Sequence, residues 1–188
     1  RIASILDIDE LLAQVVADSA RTDQTEEEQA QFIGGIITFV FLHELGHALI
    51  HVLDLPVTGR EEDAADQLAT AVLLDVGEEG IEAAAAAAVW FLQSSKGTRL
   101  NRLAYADEHS FGKQRFYNIL CWIYGQDPDM QQDLIGPEFL PPSRAEKCPA
   151  ARPGAAACGA GRPATAPQRS RTARFAATAR TAWRHDGS

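Results

Sequence analysis

His43, Glu44 and His47 stand in the run His-Glu-Leu-Gly-His. Residues four apart on a helix share one face, about 6 Å apart along the axis. Two imidazoles so placed can converge on one zinc ion. Glu44, beside them, can take a proton from the water that zinc activates. Zinc lowers the pKa of that water towards ~7, so hydroxide is available at neutral pH. The run also occurs in helices that bind no metal, so its context decides what it means.

A catalytic zinc needs a third protein ligand and one open position. His51 extends the row, but in a straight helix it lies about 12 Å along the axis from His43. Donors to one ion sit only ~2 Å from it, so both ends of the row cannot bind together. His51 is expected to be a neighbouring core or rim histidine. Leu49 and Leu53 occupy the places where a metzincin needs Gly and His, which excludes that class. Glu62 and Asp66 are four apart, in the run Glu-Asp-Ala-Ala-Asp that follows His47. Glu62 suits the third ligand. Asp66, one turn on, can accept a hydrogen bond from the far nitrogen of His43 or His47 and so fix its tautomer. The alternative makes Glu61, Glu62, Asp63 and Asp66 an acidic first turn favoured by the helix dipole.

These residues must be positioned by helices. Residues 4–20 place Ile5, Ile8, Leu11, Leu12, Val15 and Val16 at helical spacing. Thr25 and Glu28 form a capping-box signature that opens a helix. It should run to about Leu53 and stop before Pro56. That helix is apolar nearly all round after Phe32, so it is expected to be central and buried. Its apolar length would suit a membrane span, but His43, Glu44, His47, His51 and Asp54 make a lipid-exposed span costly. Gly34 and Gly35 suggest close packing of another element. Further helices are expected over 60–75, 81–95 and 111–124, with a polar, irregular stretch over 96–110. A short turn or helix should open at Asp127-Pro128. Pro137, Pro141 and Pro142 should mark an extended exit. No internal repeat and no convincing strand is visible.

Composition divides the 188-residue chain near residue 144. Residues 1–143 carry 8 basic and 24 acidic side chains, and residues 144–188 carry 9 basic and 2 acidic. The acidic part argues against nucleic acid as a partner, because phosphate neutralisation needs clustered Lys and Arg. The basic part holds no Ile, Leu, Val or Met, so it cannot offset the entropy of ordering its backbone. The folded part should end near Pro142, leaving 144–188 as a disordered, low-complexity tail. Residues 149–188 read like GC-rich DNA translated in the wrong frame. Cys121 and Cys148 can pair in an oxidising compartment. The alternative is a buried thiol at Cys121 and an exposed one at Cys148.

His43, Glu44, His47, Glu62 and Asp66 resemble the gluzincin metallopeptidases, in which a later helix supplies Glu-x-x-x-Asp after HExxH. Over about residues 31–148, the runs HELGHALI, GREEDAAD, DEHSFGKQRFYNILCWIYG and LPPSRAEKCP resemble a bacterial family of uncharacterised proteins, called metallopeptidases by motif. Membrane-type gluzincins also carry a downstream His followed six residues later by Arg, a spacing kept by His109 and Arg115. The resemblance implies that His109 donates to the oxyanion and that Arg115 braces the site. Ser110 departs from the usual Pro after that His. The alternative is a surface histidine, with Arg115 paired to an acidic neighbour. Tyr105, Tyr117 and Tyr124 are further phenol donors among which nothing chooses. Gluzincins usually place a sheet before the HExxH helix, and this chain begins one helix before it.

The expectation is a mainly α, zincin-like domain over residues 1–143, truncated at its N-terminus, with the usual sheet missing. It would be a zinc metallopeptidase binding one Zn2+ through His43, His47 and Glu62. Glu44 and His109 would be catalytic, and Asp66 and Arg115 supporting. The alternatives are a non-catalytic, zinc-stabilised helical interaction domain and a plain helical domain without metal. The expected partner is a peptide or protein substrate, with no nucleic acid and membrane association only through a missing N-terminal segment. A secreted or periplasmic location is favoured over the cytoplasm.

Overall fold

The computed structural model describes residues 25–95, 112–136 and 139–151. These residues are mainly helical. The chain order is α1 (Glu26–Val52), α2 (Glu61–Val76), α3 (Glu78–Ser94), α4 (Gly112–Gln126), a 3-10 turn (Gln132–Leu134), α5 (Pro142–Ala145) and α6 (Cys148–Ala151). Among the described residues, the only extended pairing is an isolated parallel bridge between Ile135 and Leu140.

Helix α1 begins as its cap predicts. The Thr25 hydroxyl accepts from the Glu28 amide at 3.3 Å, and the Glu28 carboxylate accepts from the Thr25 amide at 3.0 Å. Glu26, Glu27 and Glu28 suit the positive end of the dipole. The helix ends at Val52, and Asp54 turns into the left-handed region with φ 51°. Gly77, with φ 103°, makes the short turn that folds α3 back on α2.

The expectation that α1 is central and buried is corrected. Only one stripe of it is buried, made by Gly35, Ile36, Phe39, His43 and Gly46. The opposite face is open, with Phe41 65% and Val52 75% exposed. The centre belongs to α3, which packs against α1, α2 and α4. Its alanines 84, 85, 87 and 88 are fully or almost fully buried. Small side chains on several sides let three helices approach one axis, whereas the larger residues of α1 hold neighbours off. Gly35 shows the same effect, because an added Cβ would lie 2.9 Å from the Ala83 Cα. Gly34 faces open space, so the close packing expected of both glycines holds for Gly35 alone.

Phe116, Ile119, Leu120 and Ile123 of α4 fill the core opposite α3. The chain then returns through Leu134, Phe139 and Leu140, all buried. Packed structure continues past Pro142, which corrects the expected end of the fold. Pro142 opens a short helix instead of an extended exit, and Ala145 and Cys148 are buried. Cys148 forms a disulfide with Cys121 on α4. That bond supplies the order that aliphatic burial alone would not give this stretch. Residues 4–20, 96–111 and 152–188, with the first expected helix, the irregular stretch and most of the tail, lie outside the described residues.

Candidate metal centre

Helices α1 and α2 run antiparallel and meet at Gly46. A Cβ there would sit 3.1 Å from the Ala65 Cα and 3.3 Å from a Leu68 methyl carbon. This near-contact of backbones lies one residue before His47 and one before Asp66. It therefore brings the imidazoles of one helix within reach of the carboxylates of the other.

Three donors converge across that seam. His43 Nε2 lies 3.1 Å from His47 Nε2. The two Glu62 oxygens lie 3.2 Å from His43 Nε2 and 3.3 Å from His47 Nε2. The two rings stand nearly perpendicular, at 82°. Together His43, His47 and Glu62 form a group that could hold a metal ion.

The far nitrogen of each histidine faces a carboxylate from α2. His43 Nδ1 lies 2.9 Å from Asp66 Oδ1, and His47 Nδ1 lies 2.7 Å from Glu61 Oε1. When each Nδ1 carries the proton and donates it, each Nε2 presents a lone pair to the shared point. Glu61 is the residue that sequence reasoning missed, because it was seen only as part of an acidic first turn. Its available signal was position: Glu61 and Asp66 flank Glu62 in the same two turns.

Asp66 is 2% exposed and is held from a third helix. Arg115 of α4 donates from Nε to Oδ2 at 2.8 Å and from an η nitrogen to Oδ1 at 2.6 Å. Its guanidinium carbon lies 3.6 Å from the centre of the Phe91 ring, which meets Phe39 edge-on at 5.9 Å. Arg115 thus pairs with an acidic neighbour, the alternative given for it, and that neighbour is Asp66.

Burial penalises the charged forms of His43 and Asp66, and their partners outweigh it. In the metal-free protein, burial pulls the His43 imidazole down. The hydrogen bonds to Asp66 and Glu62 more than offset this and lift it to about 9. Burial likewise pushes the Asp66 carboxyl up, yet His43 and Arg115 hold it below its ordinary value.

Glu44 follows His43 on α1 and is half-buried. His51 is exposed and takes no part in the donor group. His109, Ser110 and Tyr105 lie outside the described residues. Tyr124 is buried in the core, and burial raises the Tyr117 phenol. A cavity of about 460 Å³ opens beyond Gly46, between Ile50, Leu55, Val57 and Leu68, and none of the three donors lines it.

No curated protein and no solved structure matches the chain. A family model does, over residues 4–153. That span takes in α1 to α4, both carboxylate partners and the disulfide. The chain belongs to the family described as "Putative metallopeptidase".

Proposed function

We propose that this protein is a zinc-dependent metallopeptidase of the gluzincin type, hydrolysing peptide bonds in a peptide or protein substrate. One observation carries the reading: His43 Nε2, His47 Nε2 and the Glu62 carboxylate stand 3.1–3.3 Å apart. Donors ~2.0–2.2 Å from a tetrahedral zinc would be separated by about 3.3–3.5 Å. The donor set fits as well. Two imidazoles and one carboxylate are the ligands of catalytic zinc sites and leave a fourth position open. Closed structural sites usually recruit cysteines, and here Cys121 and Cys148 are bonded to each other.

When bound, zinc supplies the Lewis acidity that makes water a nucleophile near neutral pH. The chain's residues supply the rest. Asp66 and Glu61 hold the Nδ1 protons of His43 and His47 and so aim both Nε2 atoms. Arg115, stacked on Phe91, holds Asp66 in place. Glu44 takes the proton from the attacking water and passes it to the leaving amine. The oxyanion role implied for His109 belongs to the same proposal. His109→Ala should lower kcat while zinc content stays unchanged. The disulfide supports a secreted or periplasmic location.

The test compares bound zinc and hydrolysis of a mixed peptide library for the intact protein and for Glu44→Gln. The proposal expects zinc in both and hydrolysis only in the first. Zinc without hydrolysis in either would favour a zinc-stabilised interaction domain. No zinc in either sinks both.

A further inference from the structure

A closed ring of side-chain contacts surrounds the buried half of the metal centre. Phe39 of α1 meets the Phe91 ring of α3 edge-on, at 5.9 Å and 77°. Phe91 presents its face to the Arg115 guanidinium of α4 at 3.6 Å. Arg115 grips Asp66 of α2 through Nε and an η nitrogen, and Asp66 Oδ1 faces His43 Nδ1 at 2.9 Å. His43 stands four residues after Phe39, about one turn along α1, so the ring closes on the helix where it began. Phe39, Phe91, Asp66 and His43 are buried, and the Arg115 side chain is 11% exposed.

Phe91 meets α4 twice. A Cβ on Gly112 would run into the Phe91 carbonyl oxygen and lie 2.9 Å from the Ser95 Cβ, so α4 starts against the backbone of α3. Arg115 follows about one turn later, and its guanidinium lies over the ring. A long arginine side chain rotates about several bonds, but its fork grips both oxygens of a carboxylate only when the two groups are coplanar. Ordinary packing limits the volume the fork occupies. A flat ring face also limits its plane, and the cation–π attraction holds it there. Asp66 Oδ1 is shared by Arg115 and His43, so tilting the fork turns the carboxylate away from the imidazole. We propose that Phe91 is a positioning residue for the metal centre. Its ring sets the plane of the Arg115 fork and, through Asp66, the direction in which His43 presents Nε2. This role rests on the reading of His43, His47 and Glu62 as zinc ligands.

The test uses the full chain, loaded with zinc or with cobalt(II), whose visible spectrum reports ligand geometry. Phe91→Leu fills much of the same space without a flat face. It should shift the cobalt bands and weaken zinc binding by about 10-fold, the lower end for groups that orient a ligand. Phe91→Tyr keeps the face and should bind zinc within about 3-fold of the intact chain. Ile123→Val, a core change eight residues from Arg115 on α4, should alter neither readout. In the metal-free chain, the Arg115 Nε–H should exchange with solvent about 10-fold faster in Phe91→Leu, with the α4 backbone amides unchanged. Unchanged zinc binding and cobalt bands in Phe91→Leu would overturn the proposal. So would an equal loss in Ile123→Val, which marks general loosening. Should Phe91→Leu not fold, Arg115→Lys replaces it, because it keeps the charge and loses the fork. Zinc binding as tight as the intact chain's would then overturn the proposal. An intact chain that binds no metal overturns the zinc reading itself, whereas equal binding by the intact chain and Phe91→Leu overturns the role of Phe91 alone.

Discussion

The two histidines of the centre differ in what surrounds them. His43 lies under the protein, with its side chain 8% exposed and its partner Asp66 3%. His47 lies at the rim, with its side chain 24% exposed and its partner Glu61 51%. The chemistry on the two sides is the same, an imidazole whose far nitrogen meets a carboxylate. Among the described residues, only the buried side adds an arginine and an aromatic ring. A buried carboxylate and imidazole need further partners to offset lost hydration, whereas water serves the exposed pair. One half of the centre is therefore tied into the core, and the other half is free to adjust.

The largest effect should come from breaking the buried side. Asp66→Ala leaves Arg115 without its carboxylate, and should destabilise the protein by about 3–5 kcal/mol. Urea unfolding would measure this, and a cost under about 1 kcal/mol would mean that the side chains rearrange. Cys148→Ser breaks the disulfide between α6 and Cys121 of α4 and removes no residue of the centre. It should cost about 3 kcal/mol through the 27-residue loop it opens, with metal content unchanged. Comparing the two variants separates general loosening from damage to the centre.

Gly46→Val tests the seam shared by both halves. The added atoms meet Ala65 and Leu68, so a loss of about 1–3 kcal/mol is expected. Metal affinity should fall with it, because both imidazoles move relative to Glu62.

The pH dependence sharpens the contrast on the buried side. The metal-free His43 pKa is raised from 6.5 to about 9. Its stabilising contribution is therefore complete below 6.5 and is lost as pH rises through 9. Asp66 is lowered, so its contribution is present at neutral pH and lost in acid. Melting curves with chelator should fall across that alkaline window, and added zinc should remove the fall. Zinc must displace the His43 proton, so its affinity should rise with pH over the same window. A flat melting profile with chelator would contradict the buried network.

The smallest effect belongs to the rim. Glu61→Gln should change stability by less than about 1 kcal/mol, because the pair is half in water. Zinc affinity should drop by about 10-fold, at the lower end for an orienting partner. Isothermal titration would measure it. A loss as large as that of Asp66→Asn would erase the distinction between the two halves.

Much of the centre was legible before any fold was known. Spacing alone put His43 and His47 on one face, and Glu62 and Asp66 on one face of the next helix. The Thr25 cap and the helix limits followed from local hydrogen bonding and from Pro56. Glu61 was not legible, because in an acidic first turn a partner of histidine looks like a partner of the dipole. The place of α1 was misread for a related reason. Apolar residues all round a helix state what it would bury, not which neighbours arrive. The C-terminal extension was hidden because it is ordered by one disulfide and by Ala145 and Cys148, not by a hydrophobic run.

The sequence by itself determined the donors, their spacing and the helices that carry them, since these depend on contacts within a few residues. The tertiary structure decided which carboxylate meets which nitrogen, that Arg115 joins from α4, and that α3 takes the centre. Those outcomes depend on how closely two backbones approach. Gly46 against Ala65 sets that distance at the centre, and no periodicity within either helix reveals it.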